Sequence, residues 1–311
     1  MSPLLFALLP ATSPLDFAYT LSARLPEAPA RMERYAVEPG ADNEQLDLLG
    51  ALFDLSGPVV AEEALGGLLH AEGQGSHLYV YDHGGAAYHD LLLGNGEAPI
   101  RPMPEDWLWS EADALIASMD LFDRGPVSLV PDQAGAKVGE RFGADGRSQG
   151  RFIAEQAVRY TQTVDGWPAT GPGADLLLTF GEGGVITSFS HGVRALSPIG
   201  EAPIQSPAEA VATWARRAQR TGHYNQHLVA TPGLDQVDVE QVELAYFLPA
   251  PGVAIEEVEP VYVLTGTVHF GQGQTADLLW LEPATRGAAL PAQEPFIAEL
   301  IVPAHSRLVT R

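Results

Sequence analysis

Three stretches of the chain carry apolar residues at helical spacing, and alternating runs follow each of them. Between residues 43 and 53, apolar residues recur at intervals of three and four after Asp42, which predicts a capped helix. A second helix is predicted from Ser110 as its N-cap, because acidic residues occupy the first turn and apolar residues continue on one face.

The third helix has the clearest boundary signals. Ser206 stands at the N-cap position, Pro207 at the first helical position, and Glu209 completes a capping box. Apolar residues continue on one face to Ala218, and Gly222 predicts the end of the helix.

Strand signals fill the intervals between these helices. Gly84-Gly85 separates two alternating runs and predicts a hairpin, and Asp165-Gly166 predicts another reversal. The predicted strands are 77–81, 86–92, 158–164, 175–180, 185–189, 237–248, 260–270 and 275–281. Because they follow one another by tight turns, we expect an α+β fold of antiparallel sheets, each packed by a helix. One helix and then two or three strands recur around residues 42–92, 110–196 and 206–282, which indicates weakly repeated helix-plus-meander units.

Two segments rich in glycine and proline interrupt this pattern. The first, 94–104, predicts a domain boundary, so that an N-terminal apolar segment (1–18) precedes an N-terminal α+β domain (19–105) and a C-terminal α+β domain (106–311). The second, 132–150, has glycines at short intervals, and we expect a mobile surface loop there. It does not resemble a phosphate-binding loop, since no Lys-Ser or Lys-Thr pair follows.

The charge balance narrows the choice of partners. The chain has 40 acidic and 17 basic residues, a formal net charge of −23, which repels nucleic acid and anionic lipid. The absence of cysteine excludes disulfides, thiolate zinc sites and cysteine nucleophiles. We therefore expect no nucleic-acid partner and no cofactor.

The N-terminal apolar run, Leu4 to Leu9, allows two interpretations. It is similar to the end of a signal-peptide core, but no Lys or Arg precedes Arg24. It is either part of a signal whose true start lies upstream or an apolar edge of the first domain. No run of 18 apolar residues occurs elsewhere, so no transmembrane helix is expected.

The histidines do not predict a metal site. His223 and His227 are four apart, but no Glu follows the first and Gly222 precedes it. His77, His83 and His89 are six apart on hairpin strands, where polar residues that alternate with apolar ones explain them equally well.

No catalytic residue is predicted either. Ser190 and His191 are adjacent on a strand and so point to opposite faces, which is unsuitable for a nucleophile and its base. Carboxylate pairs such as Glu62-Glu63 and Glu256-Glu257 are expected by chance among 40 acidic residues.

The segment from Val158 to Ser188 is more specific. Its residues Tyr160, Gln162, Gly166, Pro168 and Gly171 match the pattern Tyr-x-Gln-x-x-x-Gly-x-Pro-Val-x-Gly, with Ala169 in place of valine. The segment resembles the meander of PepSY-related domains, which occur in propeptides of thermolysin-type proteases and in YycI-like regulators of two-component systems. Runs around Tyr246, Pro260 and Tyr262 are similar to the last strands of such a domain.

The resemblance implies a binding function. It implies a non-enzymatic, extracytoplasmic protein of the bacterial cell envelope that regulates a protein partner, either a membrane sensor kinase or a protease. An exposed sheet face or edge is the natural docking surface for such a partner. The candidate binding and motif residues are Tyr160, Gln162, Gly166, Trp167, Pro168, Gly171, Tyr246, Pro260 and Tyr262.

Two alternatives remain open at the level of sequence. A secreted hydrolase with two carboxylates requires those groups about 5 to 9.5 Å apart in a deep cleft. A small-molecule carrier requires an apolar pocket between sheet and helix.

Overall fold

The chain is an α+β protein, as the pattern predicts, with three α-helices, a large mixed sheet and a small antiparallel sheet among the described residues. The structure is a computed structural model, and it describes residues 18–39, 43–55, 57, 59–62, 68–72, 75–93, 98–119, 123–221 and 234–288. The strands are β1 Ala18–Leu21, β2 Arg31–Val37, β3 Val59–Glu62, β4 Leu68–Glu72, β5 Ser76–Tyr81, β6 Ala86–Asp90, β7 Asp123–Arg124, β8 Val127–Phe142, β9 Ser148–Val164, β10 Trp167–Thr170, β11 Asp175–Phe180, β12 Ile186–His191, β13 Leu196–Pro203, β14 Leu234–Phe247, β15 Glu257–Val258, β16 Pro260–Phe270 and β17 Gln274–Pro283.

Two of the three helices begin where the sequence predicts. Helix α1 spans Asn43–Leu52, and helix α3 spans Pro207–Thr221. The capping box of α3 is formed, because the backbone N–H of Ser206 donates to Oε2 of Glu209 at 2.9 Å and the Glu209 N–H donates to Oγ of Ser206 at 3.3 Å.

The predicted start of the second helix is wrong. Helix α2 spans Glu105–Ser118, so Ser110 lies inside it and caps nothing. The helix begins directly after Pro104, whose extended backbone ends the preceding segment, and Glu105 and Asp106 supply the negative charge that favours a helix N-terminus.

The chain forms two compact units, each built from separate segments. The described residues of the first unit fall within Met1–Glu33, Glu201–Ala245 and Glu259–Gln293. Its sheet has the order β17-β16-β14, and the antiparallel pair β16–β17 reverses at residues 271–273, as predicted. Helix α3 packs on β16 and β17 through the buried face that contains Trp214.

The described residues of the second unit fall within Arg34–Gly200 and Tyr246–Val258. Its sheet runs in the order β9-β11-β12-β6-β5-β4-β3, and every adjacent pair is antiparallel. Strand β8 pairs with the other edge of β9. Helix α1 packs near β4 and β5, and helix α2 near β9.

The expectation of purely antiparallel sheets needs correction, because the large sheet is mixed. Strand β1 is parallel to β14, with Ala18 opposite Gln236, and β10 is parallel to the end of β14, with Ala169 opposite Tyr246. Both parallel pairs join segments far apart in the sequence, and tight turns carry no information about such pairs.

The prediction of a mobile loop at 132–150 is also wrong. This segment is the long β8–β9 ribbon, with a short reversal at residues 143–147. Gly135 and Gly139 lie within the ribbon, and the Phe152 ring of the opposite strand covers Gly139. A facing aromatic ring thus supplies the packing that glycine lacks.

Candidate functional site

The meander with the candidate motif folds as the sequence predicts. Strands β9 and β10 are joined by a tight turn at Asp165 and Gly166, both with positive φ (51° and 77°). Strand β11 then returns along β9, and a short 3₁₀ turn at 182–184 leads into β12.

Tyr160 is fully buried and lies at the centre of this meander. Its hydroxyl donates to Oδ1 of Asp113 in α2 at 2.7 Å, and the Trp109 ring meets its ring edge-on. Burial, and then the neighbouring Asp113 carboxylate, raise the pKa of Tyr160 well above its usual range. The side chain therefore fixes the helix on the sheet.

Gln162 is also buried and holds the segment that follows β10. Its Nε2 donates to the carbonyl of Gly173 at 2.6 Å, and its backbone N–H donates to the carbonyl of Ala174 at 2.9 Å. These bonds close the loop between β10 and β11.

Gly171 is required by a close backbone approach in the second unit. Its φ is +100°, and a Cβ there would lie 2.6 Å from the Leu248 carbonyl oxygen and 2.7 Å from the Phe247 ring. The motif glycine thus lets the loop after β10 pack against the end of β14.

The other motif residues fall in both units. Tyr246, in the second unit, is buried with its ring edge-on to Tyr35, the centroids 5.6 Å apart. Pro260 and Tyr262 begin β16 in the first unit, where the Tyr262 hydroxyl donates to the carbonyl of Gln205 at 2.7 Å. Burial raises the pKa of Tyr262 to about 12.

Three members of the candidate set are accessible at the meander turn. Gly166 and Pro168 are exposed, and Trp167 is half-buried. Tyr160, Gln162, Tyr246 and Tyr262 are buried, so in this conformation their side chains contribute to packing and their contacts lie within the protein.

Sequence reasoning missed the open edge of β8. Of the strands that can be described, β8 pairs with β9 along its length and on its other side with β7 alone, at Val127 and Ser128. The backbone from Leu129 to Phe142 therefore has no neighbouring strand among the described residues. Such an edge presents unpaired N–H and C=O groups.

In the described ranges, the far end of the ribbon has two strands. Strand β9 pairs with β11 from Gln156 onward, and the N–H of Ile100 donates to the Ile153 carbonyl at 2.8 Å. We call residues 138–152 the ribbon tip. There Phe142 is 60% exposed and Val138 is exposed as well.

The ribbon tip reverses the charge balance of the chain. It carries three arginines, at 141, 147 and 151, and two carboxylates, Glu140 and Asp145. The Nε atom of Arg147 lies 3.7 Å from Oδ2 of Asp145, and the Arg141 guanidinium lies over the Phe152 ring. Next to the tip, Lys137 Nζ lies 2.9 Å from Oε2 of the buried Glu155, which also accepts from the Thr187 hydroxyl.

Arg194 is a buried cation that ties loops of the second unit together. Its side chain donates to the carbonyl oxygens of His83, Pro249, Ala250 and Val253 at 2.9 to 3.3 Å. Burial lowers the pKa of Arg194 to about 10. Four backbone acceptors thus replace the water that this guanidinium loses.

The histidines of the β5–β6 hairpin do not form one row. His77 and His89 are cross-strand partners, whereas His83 lies in the connecting turn. Burial lowers the pKa of His89. Within the part of the chain that the structure describes, no group of three or more metal-ligating side chains is found. His223, His227 and Glu63 lie outside the described residues.

Ser190 and His191 are adjacent in strand β12, so their side chains point to opposite faces of the sheet. His191 is buried, and its Nδ1 accepts from the backbone N–H of Val193 at 3.2 Å, while Ser190 lies opposite Leu177 on the neighbouring strand.

Among the helices that can be described, none is long and apolar enough to cross a bilayer.

No protein-family model and no curated protein matches this chain. It is similar to the crystal structure, at 1.45 Å resolution, of an uncharacterized protein from Eubacterium rectale ATCC 33656. The sequence identity is 11% and the TM-score is 0.45, over 88% of this chain and 91% of that chain. At this identity and TM-score, the similarity does not bear on function.

Proposed function

We propose that the chain is a non-enzymatic, extracytoplasmic binding protein that docks a protein partner along strand β8. The observation that carries the proposal is the open edge of β8 from Leu129 to Phe142. A partner segment in extended conformation gains main-chain hydrogen bonds by adding to such an edge, and alternate side chains provide specificity.

The stretch from Gln133 to Lys137 is the most suitable part of this edge. The register shifts at Pro131/Gln133, at Lys137/Val138 and at Arg141/Phe142, so the longest regular run after the β7 pairing ends and Pro131 interrupts the edge is Gln133 to Lys137. Bulges protect an edge against indiscriminate pairing, which leaves a short segment for a specific strand. The side chains at 134–136 are Ala, Gly and Ala, and they leave room for another backbone.

The charge of the ribbon tip selects the chemistry of the partner. Three arginines and the exposed Phe142 favour a segment with acidic and apolar side chains. A second copy of this chain paired tip to tip is disfavoured, because the two sets of arginines repel each other.

The resemblance of the meander to PepSY-related and YycI-like domains extends the proposal. It favours a membrane sensor kinase or a protease as the partner, and a C-terminal PepSY-like domain over residues 106–311. We also propose that the three helices begin repeated units, since antiparallel strands follow each of them in the chain.

The experiment uses the full chain as bait for envelope extracts, followed by affinity measurements with the partner it retains. The informative variants are F142E and the double variant R147E/R151E. The matched control is V185E, because Val185 is 49% exposed in the same unit and lies between β11 and β12, which β9 separates from β8. Circular dichroism melts confirm that each variant is folded.

We expect F142E and R147E/R151E to weaken binding at least about tenfold, a loss of about 1.4 kcal/mol, and V185E to bind like the wild type. Equal affinity of all the variants would contradict docking at β8. Sedimentation that shows a self-associated chain, with no other protein retained under crosslinking conditions, would contradict a heterologous partner.

A further inference from the structure

A separate cleft lies in the first unit. It has a volume of about 550 Å³ and is lined by helix α3 and by the segment that follows β17. This volume is typical of small-molecule sites. Arg216 and Arg217 of the helix and Arg286 of the following segment line it, although basic residues are scarce in this acidic chain.

Two of these arginines are held in place by carboxylates. Arg217 lies 2.7 Å from Oε2 of Glu282, which is only 1% exposed and also accepts from the Trp280 indole N–H at 3.0 Å. Arg286 donates to both carboxylate oxygens of Glu209, at 2.9 and 3.1 Å. The walls of the cleft are therefore preorganised by ion pairs.

Arg216 makes the described lining of the cleft net positive. Its guanidinium donates to Oγ1 of Thr213 at 3.1 Å, and it has no carboxylate within ion-pair distance among the described residues. Among the described residues that line the cleft, three cations thus face two carboxylates. A ligand with a negative charge balances the difference.

A neutral donor lies in the same wall. The Thr285 hydroxyl is buried and has no hydrogen-bond partner among the described residues. Buried polar groups are normally satisfied, so an unsatisfied hydroxyl on a residue that lines a cleft is a candidate donor to a ligand.

We infer that this cleft binds a small molecule through a carboxylate or phosphate group, with Arg216 and Thr285 as donors to its oxygens. Arginine suits such oxyanions because its planar donors match their geometry. Arg216 also lies near the helix C-terminus, where any cation is favourable. Arg220 has that position too but does not line the cleft, so it is the matched control.

The test is isothermal titration of the full chain with inorganic phosphate and, separately, with succinate at low ionic strength. We expect a Kd of about 1 mM or tighter for at least one of them. R216Q should weaken that binding about tenfold or more, since it removes the excess charge. T285V should weaken it several-fold, and R220Q should leave it unchanged.

The two arms identify the source of the oxyanion. Binding of phosphate alone assigns a phosphate-bearing ligand, and binding of succinate alone assigns a carboxylate-bearing one. The inference is overturned if neither anion binds the wild type, or if R216Q binds as tightly as the wild type. Thermal melts of R216Q and T285V establish that both variants are folded.

Discussion

The Tyr160 hydroxyl donates a hydrogen bond of 2.7 Å to Oδ1 of Asp113, which ties the central meander strand to helix α2. The tyrosine is buried whereas Asp113 is exposed. The bond therefore combines a charged acceptor with a desolvated donor.

Replacing Tyr160 by phenylalanine should lower the free energy of unfolding by about 1 to 2 kcal/mol, because a hydrogen bond to a charged group is lost. Urea denaturation measures this loss. In a double-mutant cycle, D113N combined with Y160F should cost less than the sum of the two single changes. Strict additivity would show that the two side chains do not interact.

The glycines of the motif should differ in their tolerance of alanine. G166A places a Cβ in open space at positive φ, so it should cost only about 1 to 2 kcal/mol. G171A also forces a Cβ within 2.6 Å of the Leu248 carbonyl oxygen, so it should cost clearly more. Denaturation curves of equal midpoint for the two variants would argue against the close approach at residue 171.

Arg194 should be among the most sensitive positions of the second unit. R194M removes the side-chain donor of four carbonyl oxygens, of which, in the described part of the chain, Ala250 alone keeps a backbone donor, the Val253 N–H, and it should destabilise the protein by at least about 3 kcal/mol. The control is R159M, which removes half-exposed ion pairs to Asp132 and Asp175 and should cost about 1 kcal/mol or less. Similar losses in the two variants would contradict the view that Arg194 holds these loops together.

Glu282 and Glu209 should give opposite pH dependences. Burial raises the pKa of Glu282 above its usual 4.5, so its contribution to stability is fully present below pH 4.5 and is lost as the pH rises through the raised value. Hydrogen bonds from Ser206, first from its backbone, lower the pKa of Glu209, so its contribution is present above pH 4.5 and is lost as the pH falls.

The measurement is the free energy of unfolding between pH 3 and pH 7. Relative to E282Q, the wild type should lose stability as the pH rises, and relative to E209Q it should gain stability. The readout is the slope of the free energy of unfolding against pH, since each substitution also shifts that free energy by a constant amount at every pH. Parallel curves for the wild type and E282Q would contradict the raised pKa.

Local signals explain why so many elements are predictable from the sequence. The Gly84-Gly85 and Asp165-Gly166 turns and the Ser206–Glu209 capping box each depend on neighbouring residues, and all three form. Long-range features carry no such signal. The parallel pairing of Ala18 with Gln236 belongs to this second group.

The features of the candidate sites that the sequence does not predict also depend on residues far apart in the chain. Closely spaced glycines such as Gly139 are typical of a loop. That Gly139 lies in a strand is understood only once the Phe152 ring is seen to cover it from the opposite strand. Arg194 looks like an ordinary surface arginine, because its acceptors come from segments more than fifty residues away. Alternation identifies the meander, but it does not reveal which strand is left at an edge.

A partner that binds along the open edge of β8 lies next to residue 142, so a photo-crosslinking group at this position should capture it. Benzoylphenylalanine replaces Phe142 in one variant and Val185 in another, and each is irradiated in envelope extract. We expect a specific adduct with another protein from position 142 and none from position 185. Adducts of equal yield from both positions, or from position 185 alone, would contradict it.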